Sequence, residues 1–68
     1  MANQNPYKRV GEVVYQVRES LGLSQTEFGA IANVSQPTVH RWERGLDAPD
    51  LVQAAAIFRM TGKDLRVF

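Results

Sequence analysis

Two helix starts, set so close that only about two turns of helix fit between them, constrain this chain more than any other feature. Ser24 followed three residues on by Glu27 spells the reciprocal capping box, in which each side chain satisfies an orphan amide of the first turn. Phe28, Ile31 and Ala32 follow at helical spacing. Ser35 then offers a fresh N-cap, with Pro37 in the first turn behind it. Between the two, Asn33 is one of the few residues besides glycine that tolerates the left-handed backbone a tight turn demands. A connection of only Asn33, Val34 and Ser35 cannot lay two short helices antiparallel, so they must cross steeply, in helix-turn-helix geometry. Gly29, in the middle of the first of them, costs about 1 kcal/mol relative to alanine, and a close helix crossing is the reason to have it there.

The remaining punctuation is also helical. Val10, Val13, Val14, Val17 and Leu21 recur at helical spacing behind Asn5 and Pro6, read as cap and first helical residue, and the run stops at Gly22. The helix after Ser35 runs to Arg44 and ends at Gly45. Residues 46–49 turn, and Asp50 caps a further helix that runs through Met60 and ends at Gly62. Asp64 caps one last turn carrying Leu65 and Phe68. Strand-period alternation, internal repeats and low-complexity segments are missing from the sequence. The expected fold class is therefore all-α: a compact bundle of four helices plus a short fifth turn. It forms one domain over residues 1–68, with a flexible arm at 1–5 and the helix-turn-helix at about 24–44.

A chain of 68 residues has little core to spare, and domains of this size often need a staple. With no cysteine and a single histidine, His40, disulfides, thiol chemistry and zinc clusters are excluded, and neither metal nor cofactor is expected. Oligomerisation is the staple that remains. Eight basic residues against seven acidic give a net charge of +1, so affinity for nucleic acid must come from placement rather than excess charge. The longest apolar run, 54–58, is far too short to span a bilayer, and the polar amino end lacks a signal-peptide core. The expected address is the cytoplasm, with no membrane partner and no small-molecule ligand.

On a helical wheel, Val39, Trp42 and Glu43 share one side of the third helix, while Pro37, His40, Arg41 and Arg44 share the other. One side is core and the other cationic. A helix in the major groove reads base edges from its amino-terminal half, where glutamine suits adenine, arginine forks onto guanine, and an apolar ring meets a thymine methyl. Gln36, Pro37 and Arg41 are those residue types in those places. Arg44 at the helix end, and the helix starts near Gln25 and Ser35, suit phosphate oxygens, which set register rather than sequence.

The stretch Leu23-Ser24-Gln25-Thr26-Glu27-Phe28-Gly29, the turn Asn33-Val34-Ser35, and Thr38-Val39-His40-Arg41-Trp42-Glu43-Arg44-Gly45 together resemble the phage repressor and Cro family of helix-turn-helix proteins. The resemblance runs from about Val10 to the carboxyl end and includes Pro49, Asp50 and Leu51, then Gly62 with Leu65. It implies a bundle of four or five helices that binds double-stranded operator DNA as a homodimer, with the third helix as reader. By position it implies that Gln36, Pro37 and Arg41 face the bases, that Gln25, Ser35 and Arg44 contact the sugar-phosphate backbone, and that Arg18 pairs with Glu43 inside the scaffold. Thr38 and His40, the latter at the edge of the cationic face, are grouped with the backbone contacts. The sequence departs from the family pattern at Pro37, where a polar reader is usual, at Asn33, where glycine is commoner, and at Thr61 and Lys63, where apolar residues are common.

On the fourth helix, Leu51, Ala54, Ile57 and Phe58 are expected to face the core. Val52, Ala56 and Met60 then fall together on the opposite side, and with Val67 and Phe68 they make the candidate dimer surface. The reading is a sequence-specific transcriptional regulator, most simply a Cro-like repressor. The competing reading is a protein-interaction module on the same scaffold, which would have no use for Arg41 and Arg44 beside a glutamine. A small enzyme is the third class, and it finds no support. Ser24 and Ser35 are explained as caps and Glu43 as an ion-pair member, so no base and nucleophile are left over.

Overall fold

The computed structural model describes residues 6–67, with the side chain of Val67 outside what it describes. The chain is all-helical, with α1 at Lys8–Ser20, α2 at Gln25–Ala32, α3 at Gln36–Glu43 and α4 at Leu51–Thr61, followed by a single 3-10 turn, Leu65–Val67. Among the described residues there is no strand.

Most boundaries follow the local chemistry of the sequence. Ser24 Oγ accepts from the Glu27 amide at 3.0 Å and Glu27 Oε1 accepts from the Ser24 amide at 2.8 Å, so the capping box forms as expected. Asn33 closes α2 in the left-handed conformation, φ 61° and ψ 41°. Asp50 does cap α4, and does so through a second capping box with Gln53, at 2.8 and 2.9 Å, which the sequence reading had not picked out. Thr61 fits where apolar residues are common because its hydroxyl donates to the Ile57 carbonyl at 2.7 Å and accepts from the Lys63 amide at 3.1 Å, closing the end of α4.

Two helix starts differ from expectation. Pro6 is not the first residue of α1. The Tyr7 amide donates to the Gly45 carbonyl at 3.0 Å, and this tether to the end of α3 holds Tyr7 at φ −115° and ψ 37°, so the helix begins only at Lys8. Lys8 and Arg9 open α1, and Arg9 lies 3.7 Å from Glu12. Asn5 and the expected arm at 1–5 fall outside the described residues. At α3, Ser35 has N-cap backbone geometry, but its hydroxyl caps no amide and lies 3.4 Å from the Thr38 hydroxyl instead.

The core is built from Val13, Val14 and Val17 of α1, Phe28 and Ala32 of α2, Val39 and Trp42 of α3, and Ile57 of α4, none more than 3% exposed. Two glycines set how closely the helices approach. A Cβ on Gly29 would lie 2.6 Å from the Val34 carbonyl oxygen of the turn and 3.2 Å from Val39 Cγ2 of α3, so the turn and α3 close over α2 only because the side chain is missing. A Cβ on Gly11 would lie 2.5 Å from the Trp42 carbonyl oxygen, which makes the same demand where α1 meets α3.

The expected face of α4 is corrected. Ile57 is fully buried, but Leu51 is 81% and Phe58 51% exposed, so neither belongs to the core. Ala56, placed on the outward stripe, is half-buried. The inward direction of α4 centres on Ile57, flanked by half-buried Gln53, Ala54, Ala56 and Thr61, and it leaves Leu51 and Phe58 exposed on one flank of the helix and Val52 and Met60 on the other.

Candidate nucleic-acid interface

The exposed side of α3 carries Gln36, Pro37, His40, Arg41 and, at its C-cap, Arg44, all solvent-facing, whereas Val39 and Trp42 are sealed into the core. Ser35 is exposed at the start of the helix and Thr38 half-buried on its rim. Each residue expected on the cationic side therefore stands on the surface of one helix. That helix is anchored from behind by an aromatic ring and a branched aliphatic, so its exposed side moves as a rigid body with the core.

Behind this surface lies a chain of polar contacts. Arg18 of α1 donates through Nε to Glu43 Oε2 at 2.6 Å and through Nη2 to Glu43 Oε1 at 3.1 Å, a two-pronged pair between side chains only 11% and 8% exposed. Arg18 Nη1 also donates to the Leu23 carbonyl at 2.8 Å, and its guanidinium lies 5.4 Å from the centre of the Tyr15 ring. These partners leave the guanidinium with few unmet donors, which is what a buried arginine needs. The hydrogen bonding that Arg18 donates to Glu43 is the chief cause that raises the Arg18 pKa above its ordinary value.

The pair continues outward. Gln25 Nε2 donates to Glu43 Oε1 at 3.0 Å, and Gln36 Nε2 donates to Gln25 Oε1 at 2.7 Å. The direction of this relay follows from its inner end, because an ionised carboxylate only accepts and so draws the amide nitrogen of Gln25 inward. The carbonyl of Gln25 then faces Gln36 and draws in its amide nitrogen. Gln36 is left with a free carbonyl oxygen and one spare N–H, which is the acceptor and donor pair that an adenine edge complements. The sequence predicts a phosphate contact for Gln25 and does not foresee that it links the buried ion pair to the exposed Gln36. The missing signal is tertiary, since neither contact is local in sequence.

Not all candidates converge on this face. Val52 and Met60, 79% and 71% exposed, lie on α4, which packs on the scaffold and contributes nothing to the α3 surface. Ala56 of the same group is half-buried on α4, and Phe68 and the side chain of Val67 fall outside the described residues. No helix among the described residues is long and apolar enough to cross a membrane.

Comparison with known proteins gives one positive finding. A family model described as helix-turn-helix matches residues 14–68, from the middle of α1 to the carboxyl end. Among curated proteins no match was found.

Proposed function

The chain belongs to the helix-turn-helix family of DNA-binding regulators, and from that premise we propose that it is a sequence-specific repressor of the Cro type, without enzymatic activity, that occupies a pseudo-palindromic operator as a homodimer. The observation that carries this reading is the relay from Arg18 and Glu43 through Gln25 to Gln36, which fixes one reader side chain before DNA arrives. A side chain held in its bound geometry loses less entropy on binding. Gln36, Pro37 and Arg41 face the bases, with Gln36 suited to adenine, the Pro37 ring to a thymine methyl and Arg41 to guanine. Gln25, Ser35, Thr38, His40 and Arg44 line the sugar-phosphate backbone and set the register.

One reader helix covers too few base pairs to be selective, so two protomers on half-sites about 10 base pairs apart are part of the proposal. The exposed apolar residues of α4, Val52 and Met60 on one flank with Leu51 and Phe58 on the other, are offered for that contact, in a revised form of the expected stripe.

Selection of bound sequences from a random duplex library tests the class and the symmetry together, and a recovered palindrome is the expected result. On the selected site Arg41→Ala is expected to lose about 1–3 kcal/mol and to relax preference at one base pair. Arg44→Ala weakens all sequences alike. Equal losses on selected and random DNA for Arg41→Ala remove Arg41 from the readers.

A further inference from the structure

The end of α3 places an acidic residue against Arg41. The Gly45 amide donates to the Trp42 carbonyl at 3.0 Å and the Leu46 amide to the Arg41 carbonyl at 3.0 Å, the paired bonds of a Schellman cap, with Gly45 in the left-handed conformation at φ 74°. The cap folds the chain back over the last turn of the helix, so the next residue, Asp47, arrives beside Arg41. Asp47 Oδ1 accepts from the Ala48 amide at 2.9 Å, and that bond turns the other oxygen, Oδ2, toward Arg41 Nε, 3.9 Å away.

We propose that Asp47 is a positioning residue for Arg41, engaging the Nε side of its guanidinium so that the two terminal nitrogens are presented as a fork to one base pair. This rests on the reading of Arg41 as base-facing. Both side chains are 54% exposed, and an ion pair in that setting contributes little to holding a fold together. A carboxylate beside a DNA-facing helix also repels phosphate, so for binding to DNA in general it is a disadvantage. Both facts have one explanation if its task is selectivity. An unrestrained arginine can swing onto any nearby phosphate oxygen. One held by its Nε edge loses fewer rotamers when its fork meets a guanine edge, and a fork is the geometry that guanine N7 and O6 complement. The separation is longer than a hydrogen bond, so the restraint is electrostatic and survives small adjustments of Arg41 on docking. The residue thus trades affinity for all duplexes against discrimination at one position.

The test uses the full chain as Asp47→Asn, Arg41→Ala and the double variant, with Asp47→Asn chosen because an amide oxygen can still accept from Ala48. Affinity is measured on the selected operator, on operators changed at each base pair in turn, and on a random duplex. The position whose preference Arg41→Ala relaxes defines the base pair in question. Asp47→Asn is expected to lose about fivefold or more of the discrimination at that position, the lower range for a bidentate base contact, while binding the random duplex more tightly. In the Arg41→Ala background the same change is expected to leave discrimination untouched. Retained discrimination in Asp47→Asn, where Arg41→Ala loses it, overturns the positioning role and leaves Arg41 a reader. Uniform weakening on every duplex marks a structural effect and overturns it too. Arg41→Ala with unaltered preference at every position overturns both readings at once.

Discussion

The first three helices and the fourth are attached to the same core in different ways. Between α1, α2 and α3 the chain uses several means at once: four buried valines, Phe28 and Trp42, two glycines where a backbone carbonyl presses close, and a two-pronged ion pair. By contrast, α4 reaches the core with Ile57 as its one fully buried side chain and turns four large apolar residues to solvent. The difference follows what each region has to do under the proposed function. A reader helix must keep its angle to the scaffold within a fraction of an ångström, which close packing provides, whereas a surface meant to meet another protomer has to leave apolar area uncovered in the monomer.

The largest effect expected on that contrast comes from the buried pair. Arg18→Ala leaves the buried Glu43 carboxylate without a cation and is expected to cost about 3–5 kcal/mol, read as a fall in the denaturation midpoint, while Glu43→Ala costs less because Arg18 Nη1 keeps Glu19 at 3.3 Å. Replacing both by apolar residues of similar volume is expected to recover much of the loss, though not the DNA affinity, because Gln25 and Gln36 lose the anchor of their relay. If Glu43→Gln leaves the midpoint unchanged and alters only binding, the pair belongs to the interface rather than the scaffold.

Next in size are the close approaches. Gly11→Ala and Gly29→Ala each drive a methyl into a backbone carbonyl that cannot swing aside, and each is expected to destabilise by about 1–3 kcal/mol despite alanine's better helix propensity. Denaturant titration at constant slope reads it out. A neutral or stabilising result at either glycine means that α3 shifts easily, and the rigid-reader side of the contrast fails.

How far this arrangement was legible in the sequence depends on the range of the interaction concerned. The Ser24 and Glu27 box, Asn33 in its left-handed turn and Asp50 ahead of α4 are written within four residues of one another, and each takes the expected place. The demand at Gly29 was equally plain, because a glycine inside a short helix needs a reason. Gly11 gave the same signal within α1 and was passed over. From the residues alone the Arg18 and Glu43 pair was not derivable, since the partners lie on different helices, and it came from family resemblance. The facing of α4 was misread because its apolar residues nearly encircle it. With residues apolar on several sides, a wheel cannot say which one the core takes, and that choice is made by the position of α2. Asp47 carried no local signal at all; only the fold of the Schellman cap brings it to Arg41.

Smaller again in stability is the expected effect on the open face. Val52→Ser and Met60→Glu remove apolar surface that already meets water, 79% and 71% exposed, so each should move the monomer's stability by no more than about 0.5 kcal/mol. The consequence is expected in assembly. Sedimentation across a concentration series, with and without a full operator, should show weakened pairing of protomers and lost cooperativity on two half-sites, while affinity for a single half-site is retained. A wild-type chain that remains strictly monomeric and still fills both half-sites independently removes the dimer from the proposal and leaves α4 merely loosely packed.

The smallest effect lies at the carboxyl end and depends on pH. Arg66 donates from its side chain to both oxygens of Asp64, at 3.0 and 2.9 Å, and from its backbone amide at 2.9 Å. The side-chain hydrogen bonds chiefly, and then the backbone one, hold the Asp64 carboxyl down at about 2, against an ordinary value of 3.8. A carboxyl whose pKa is lowered by folding stabilises the folded state above its ordinary pKa, and that contribution disappears as pH falls from 3.8 toward about 2. Asp64 is half-buried, but its partner Arg66 is 79% exposed and on the same turn, so salt screens the interaction and its share of the stability is slight. Melting curves of wild type and Asp64→Asn should therefore differ a little at neutral pH and converge as the carboxyl protonates, with the difference shrinking further in high salt. A gap between the two that stays constant down to about pH 2 means that the aspartate acts by capping the final turn as a neutral acceptor, and that the charge of Arg66 has no part in tying the carboxyl end to the core.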